Sequence, residues 1–532
     1  MQKKKMMAVL IGICLALGTL SGCGKTQKEA SDGKKTLVIG DVSFNSANEE
    51  ADINPHNTYA GWACIRYGIG ETLVKYSDDM EIEPWLAKAW ENVDPLTWKI
   101  TLQDNVKFSS GRDMDAEAVK ECLEHLLAVH DRAAADTKIA SMEADGQVLT
   151  IKTSEPKPAL LNYLGDPYAC IIDVKAGFDN GIVSGTGPYI AVDLKTDDYL
   201  KLVKNDNYWN GDPKIDEITI KSITDGNTLA KALQADEVQA AYGMAYESYP
   251  LFEGDDYQFS RISTSRCFFA KMNFDENSVC ADPAVRKAIA MGIDKESFVD
   301  TLLEGNGYVA NGVFPDQTAF GGDKVTTESY DPKGAKKVLE DAGWVDTDGD
   351  GIREKDGKKL SFTITYPSTG VYDKVVLFFQ DSMKKLGIEI TTNPIDLMAF
   401  MQQVFTEGNY EITAYMSYWF PYDPYTFVAN MYPSTDYTDA SGIYSTDPQI
   451  AKALATMSEE EAKELIAGLY KTDDPDTVQN IFTTALNSAN ESSVVIPLNY
   501  RNEYAVFNNE VIESYTFNSI PNHVDVAAIK LK

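Results

Sequence analysis

"TWKITLQDNVKFSSGRDMDAEAVKECLEHLLAVH", residues 97–130, changes its period halfway along. Residues 97–108 alternate apolar and polar side chains with β-branched content, the pattern of a strand buried on one face. From Met114 the spacing lengthens, and Ala118, Cys122, Leu126 and Val129 recur at helical intervals. A strand passing into an amphipathic helix is the unit of mixed α/β structure. "TLVIGDV" (36–42), "VLTIKT" (148–153), "YLKLVKN" (199–205) and "EITIKSI" (217–223) read as further strands.

The pattern continues towards the C-terminus. "DPAVRKAIAMGIDKESFVDTLL" (282–303) and "DPKGAKKVLEDAG" (331–343) each open on Asp-Pro, an N-cap followed by proline at the first helical position. "DKVVLFFQDSMKKLG" (373–387) is a third helix, interleaved with strands "KLSFTITYP" (359–367) and "YEITAYMSY" (410–418). There is no long low-complexity linker and no fixed-period repeat. At 532 residues the chain exceeds the roughly 250–300 at which one core stops growing, so two or more lobes are expected. A formal charge of −33 argues against nucleic acid, whose phosphates demand a basic surface.

Lys3, Lys4 and Lys5 precede an apolar run, residues 6–20, and then "LSGC" at 20–23. That is a secretory signal, too short for a stable membrane span. Its end resembles a bacterial lipobox, which implies cleavage after Gly22, a lipid on Cys23 and a polar tether over 23–35. Without the signal and Cys23, five scattered cysteines remain: Cys64, Cys122, Cys170, Cys267 and Cys280. They lack the spacing of a zinc site or a disulfide framework and read as small core residues.

Catalytic motifs are missing. The chain has no GxSxG elbow, no HExxH helix and no complete Walker loop, and its only histidines are His56, His125, His130 and His523. Paired carboxylates leave no reliable spacing, so a secreted hydrolase stays as a remote alternative. "DTDGDGIREKDG" (346–357) matches the first half of a calcium loop through Asp346, Asp348 and Asp350. Position 12, normally glutamate, is Gly357, and the stretch reads as a tight connection. No cofactor and no resident metal are expected.

Several segments together resemble one family, the extracellular solute-binding proteins of oligopeptide, dipeptide and nickel ABC importers (family 5). They are "NPH" (54–56), "ETLVKYSDDMEIEPWLAKAWENVDPLTWKITLQDNVKFSSGRDMDAEAV" (71–119), "GTGPY" (185–189), "NDNYWNGDPKIDEITI" (205–220), "DPAVRKAIAMGIDKESFV" (282–299) and "YDPKGAKKVLEDAGW" (330–344). The resemblance implies a two-lobed type II periplasmic-binding fold with an extra subdomain. Lobe I would span 36–262, completed by 496–532, and lobe II 263–495. It also implies a monomer and not an enzyme, held at the membrane by its lipid and handing a small ligand to permease subunits with cytoplasmic ATPases.

In these importers a "Y-D-P" segment borders the cleft, and "WFPYDPYTF" (419–427) takes that place. Trp419 and Tyr422 would wall the ligand or pack within the loop; Tyr425 and Phe427 read as packing. Peptide binders carry an Asp before that Tyr, where this chain has Pro421. The nickel branch carries a His further on, where this chain offers Thr435, and an Arg before "GTGP" that "YLGDPYACIID" (163–173) lacks. Arg132 matches another chelate-binding Arg of that branch, or is a solvated helix-end charge. Trp62 and Arg66 could face the cleft or pack in their helix. The local pattern favours a metal chelate or another small carboxylated ligand, with a short peptide close behind.

The lipobox yields the first prediction. Cys23→Ala should move the protein from the membrane fraction to the soluble fraction on immunoblots, and equal membrane retention would refute the anchor.

Overall fold

Two long strands, Tyr257–Met272 and Val495–Asn508, run antiparallel in the middle of a mixed sheet that has eleven strands among the described residues. The computed structural model describes residues 33–532 apart from 49, 274–277, 317–319, 321–323, 369, 417–423, 430–456, 473 and 516–524. One end of the long pair meets the Ala240–Tyr242 strand, which pairs through Thr36–Asp41 and Glu217–Ser222 to the hairpin Tyr189–Lys195 and Tyr199–Lys204. The other end meets Ile412–Met416, then Ser361–Pro367 and Glu389–Ile395.

Each half has its own apolar core. Leu37, Ile39, Tyr67, Leu126, Ile171 and Ile220 belong to one, and Phe268, Ile289, Leu339, Ile364, Phe379 and Ile412 to another. Between them the long pair slips register: Ser263 faces Asn502, whereas Cys267 faces Tyr500. Three residues on one strand therefore oppose one on the other, a bulge that bends the ladder. Thr264, Ser265 and Arg266 in it are buried, and Thr264 Oγ1 donates to the Arg501 carbonyl at 2.8 Å.

The local expectations from the sequence are met in most places. Ala116–Val129 is a helix capped by Asp115, whose carboxylate accepts from Ala118 N. It lies on a four-stranded antiparallel sheet that contains Thr97–Leu102 and Val148–Thr153. Asp282 and Asp331 cap Pro283–Met291 and Pro332–Asp341. One position differs: Val129 is 53% exposed, while Val119 and Leu123 are buried. Val129 is the last helical residue, and the chain turns extended at His130, lifting it off the sheet. The five cysteines are free and buried.

The "GTGPY" stretch is explained by close backbone approach. A Cβ on Gly185 would stand 2.0 Å from the Ile69 carbonyl oxygen, and one on Gly187 would stand 2.3 Å from that of Gly68. This contact brings Thr186 to Glu71. The buried Glu71 carboxyl accepts from Thr186 Oγ1 (2.8 Å), Tyr208 Oη (2.8 Å), Trp209 Nε1 (2.9 Å) and Trp85 Nε1 (3.0 Å). Donors from three separate segments, at 85, 186 and 208–209, thus meet on one side chain.

Burial pushes the Glu71 carboxyl up to about 7, against the pull of its four donors. The neutral acid is favoured in the fold because burial strips the carboxylate of water and the four donors offset only part of that cost. Its contribution is complete below the ordinary carboxyl range and is lost as pH rises through about 7. A shift of this size corresponds to on the order of 3 kcal/mol. Glu71→Gln should therefore lose that part of the fall in melting temperature seen between pH 5 and 8. An unchanged slope in thermal melts would rule this account out.

Candidate functional site

The site is built on the turn and helix that follow "NPH". Thr58 has φ of 37°, a left-handed conformation that a β-branched residue adopts only under constraint. Tyr59 then opens the Ala60–Arg66 helix without a side-chain cap. Gly61 sits where a Cβ would meet the Pro167 carbonyl at 2.5 Å, so the helix presses onto the Pro167–Ala169 turn.

Trp62 and Arg66, one turn apart, end in different surroundings. Trp62 is half-buried and packs against an apolar cluster containing Tyr76, Phe269, Phe314 and Phe482. Tyr425 packs against the same cluster, its ring 5.5 Å from that of Phe482, as its sequence reading as a packing residue expects. Arg66 is fully buried. Its Nη1 donates to Glu50 Oε2 at 2.7 Å and to Asp41 Oδ2 at 3.3 Å, and Tyr67 Oη donates to Asp41 Oδ2 at 2.5 Å.

Burial alone would lower the Arg66 pKa, but Glu50 and Asp41 more than offset it. Burial likewise raises Glu50, opposed by Arg66. The network continues towards the bulge. Arg66 lies over the Tyr242 ring at 5.8 Å, Tyr242 Oη donates to Glu503 Oε2 at 2.8 Å, and Arg266 Nη1 is 3.0 Å from Glu503 Oε1. Arg66 is thus a structural ion at the root of the helix, where the sequence allowed a cleft contact.

Arg132 occupies a second setting. Its guanidinium lies 5.7 Å from the Tyr59 ring centroid and 5.4 Å from that of Tyr168, with Asp136 Oδ2 at 3.9 Å. The Arg132 side chain is 16% exposed. Tyr168 Oη in turn donates to Asp136 Oδ2 at 3.2 Å. A cation between two aromatic faces, backed by one buried acid, is suited to receive an anionic group. Trp419, Tyr422 and Cys23 lie outside the described residues.

Metal-ligating types gather at two other places. Carboxylate oxygens of Asp346, Asp348 and Glu354 lie within 4.8 Å of one another, the arrangement among these residues able to hold a hard cation. Glu354 enters from position 9 of the loop, and Asp350 is drawn away by Lys359. His56 and His125 face each other with Nδ1 atoms 2.7 Å apart, and Cys122 Sγ is 3.7 Å from His56 Nε2. Sequence reading missed Asp41, Glu50, Glu503 and His130 as organisers of the site. Among 81 acidic residues nothing local distinguishes a buried acid from a solvated one.

The Arg66 network makes a quantitative prediction. Arg66→Leu removes the cation from two buried carboxylates and should cost about 3–5 kcal/mol of stability in urea unfolding. Arg132→Ala, at a partly exposed site, should cost about 1 kcal/mol or less by the same measurement.

Comparison with known proteins agrees with this architecture. The model of "Bacterial extracellular solute-binding proteins, family 5 Middle" matches residues 81–439. The nickel-binding periplasmic protein of Escherichia coli (strain K12) is 29% identical over 443 residues, 78% of this chain and 83% of that protein. The oligopeptide-binding protein AppA of Bacillus subtilis (strain 168) is 27% identical over 448 residues, covering 79% and 81%. Among solved structures, NikA from Brucella suis in complex with Fe(III)-EDTA superposes with a TM-score of 0.81 at 24% identity, over 93% of this chain and 100% of that one. The fold is therefore that of type II periplasmic binding proteins. This chain belongs to the family 5 bacterial extracellular solute-binding proteins, the binding components, not enzymes, of peptide and nickel ABC importers.

Proposed function

We propose that the protein is a lipid-anchored, extracytoplasmic, monomeric binding subunit that delivers a small carboxylated ligand, in first place a metal chelate, to an ABC permease. Two lobes, 36–262 with 496–532 and 263–495, would close on the ligand about the two long strands. The register break between Ser263 and Cys267 supports a hinge there, since a bulge has fewer ladder hydrogen bonds to hold its angle.

The observation that carries the ligand class is Arg132, held between Tyr59 and Tyr168 and partly open. Its fork suits a carboxylate. Trp62 on one side, with Trp419 and Tyr422 of "WFPYDPYTF" on the other, would supply flat walls with few rotors to freeze. Arg66 acts behind this surface by fixing the helix that carries Trp62. The relative named nickel-binding supports a chelate, with nickel as cargo. A peptide ligand is the second reading, favoured by the similarity to AppA, named oligopeptide-binding. In that case Pro421 leaves no acid at the position that pairs with the peptide amino terminus in the family.

Native mass spectrometry of protein purified without refolding, followed by calorimetric titration, tests the proposal. The expected result is stoichiometric binding of nickel with L-histidine, weakened about tenfold or more by Arg132→Ala, with the ligand recovered unchanged. Tight binding of short peptides, with a strong preference for free over acetylated amino termini, would overturn the chelate reading in favour of peptide.

A further inference from the structure

His130 is buried where the Ala116–Val129 helix ends, and both of its ring nitrogens meet backbone. Nε2 lies 3.2 Å from the Thr58 carbonyl oxygen, and Nδ1 accepts from the backbone N–H groups of Arg132 and Ala133, both at 3.3 Å. A carbonyl can only accept and an amide N–H can only donate. The backbone contacts therefore select the neutral imidazole with its proton on Nε2 and Nδ1 bare, against the pull of Asp131 Oδ1 at 3.4 Å from Nδ1. That ring ties together the two segments carrying the candidate ligand residues. On one side is the strained Thr58, immediately before Tyr59 and the Trp62 helix; on the other is Arg132, opening the Ala133–Thr137 helix.

We propose that His130 is a positioning residue of the ligand site: its neutral Nε2–H tautomer clasps the Thr58 turn to the Arg132 segment and so sets Arg132 against Tyr59 and Tyr168. The inference rests on the reading of Arg132 as a ligand contact. The clasp also accounts for the φ of Thr58, since a strained residue persists only where neighbouring contacts over-determine it. Tyr168 packs on the imidazole at 4.7 Å between ring centroids, which fixes the ring plane.

The charged and titratable groups around the ring are Asp131, whose Oδ1 is 3.4 Å from Nδ1, Arg132, Tyr168 with Asp136 behind it, and the buried His56. Burial first, and then the Arg132 charge, lower the His130 pKa, with Thr58 and Asp131 opposing. Protonation would place a third donor against two amide donors and break the cap. The clasp is thus intact at neutral pH and is lost as pH falls below the ordinary imidazole range.

Two variants divide the clasp. His130→Asn keeps an acceptor near the Nδ1 position and loses the reach to Thr58; His130→Gln keeps a donor near the Nε2 position. With nickel plus L-histidine and a short-peptide pool as probes, each should weaken whichever probe the wild type binds by about tenfold. Melting temperature should stay within about 3 °C. Wild-type affinity should fall between pH 7 and pH 5, with His130→Asn much flatter. Nitrogen-15 NMR at pH 7 should show a protonated Nε2 and a bare Nδ1. Wild-type binding by both variants, or a protonated Nδ1 at pH 7, overturns the proposal while Arg132→Ala still weakens binding. If Arg132→Ala binds like wild type, the reading of the site itself fails, and the spectrum then reports a clasp without a positioning role.

Discussion

Everything in this molecule hangs on the antiparallel pairing of Tyr257–Met272 with Val495–Asn508. One end of that pair completes the sheet of the first core, and the other end completes the sheet of the second. Both cores take apolar side chains from it: Ala505 and Phe507 in the first, Phe268, Ala270, Ile496 and Leu498 in the second. The pair is also the place where regular hydrogen bonding stops, because three residues oppose one across the bulge. A continuous flat ladder would join the halves rigidly, whereas the bulge leaves a bend whose angle is set by side chains. Those side chains are polar and buried, among them Thr264, Arg266, Asn502 and Glu503.

Burying charge at such a joint is costly unless each ion has a partner with good geometry. Arg266 answers Glu503, Tyr242 bridges from Glu503 towards Arg66, and Arg66 answers Glu50 and Asp41. The network joins the first strand, the Ala60–Arg66 helix and the bulge in one set of contacts. It places the Trp62 helix reproducibly against the remainder of the site. His130 does similar work at the other end of that segment with a neutral ring whose two nitrogens meet backbone groups.

The site also shows why one residue type takes two roles. Arg66 and Arg132 are both arginines beside aromatic rings and an acid. Arg66 meets two carboxylates and is fully enclosed, so its charge is spent inside the protein. Arg132 has Asp136 at 3.9 Å, and its side chain keeps part of its surface open. The difference in enclosure, not the side chain, separates a structural ion from a candidate ligand contact.

Local elements were legible in the chain because their causes are local. Alternation at 97–108, helical spacing from Met114 and the Asp-Pro caps at 282 and 331 each depend on residues a few positions apart. The ordered motifs likewise carried the family, and with it the two-lobed fold and the binding role. The long strands at the centre were not legible, since their pairing joins residues more than two hundred positions apart. The site divided along the same line. Tyr425 was readable as packing and Arg132 as a candidate cation, but the enclosure of Arg66 was not. Nor was the Glu71 cage, or the tautomer that His130 must hold. Each of these is decided by what burial brings alongside a polar group, and a buried charge or ring proton is defined by its distant partners, not by its neighbours in sequence.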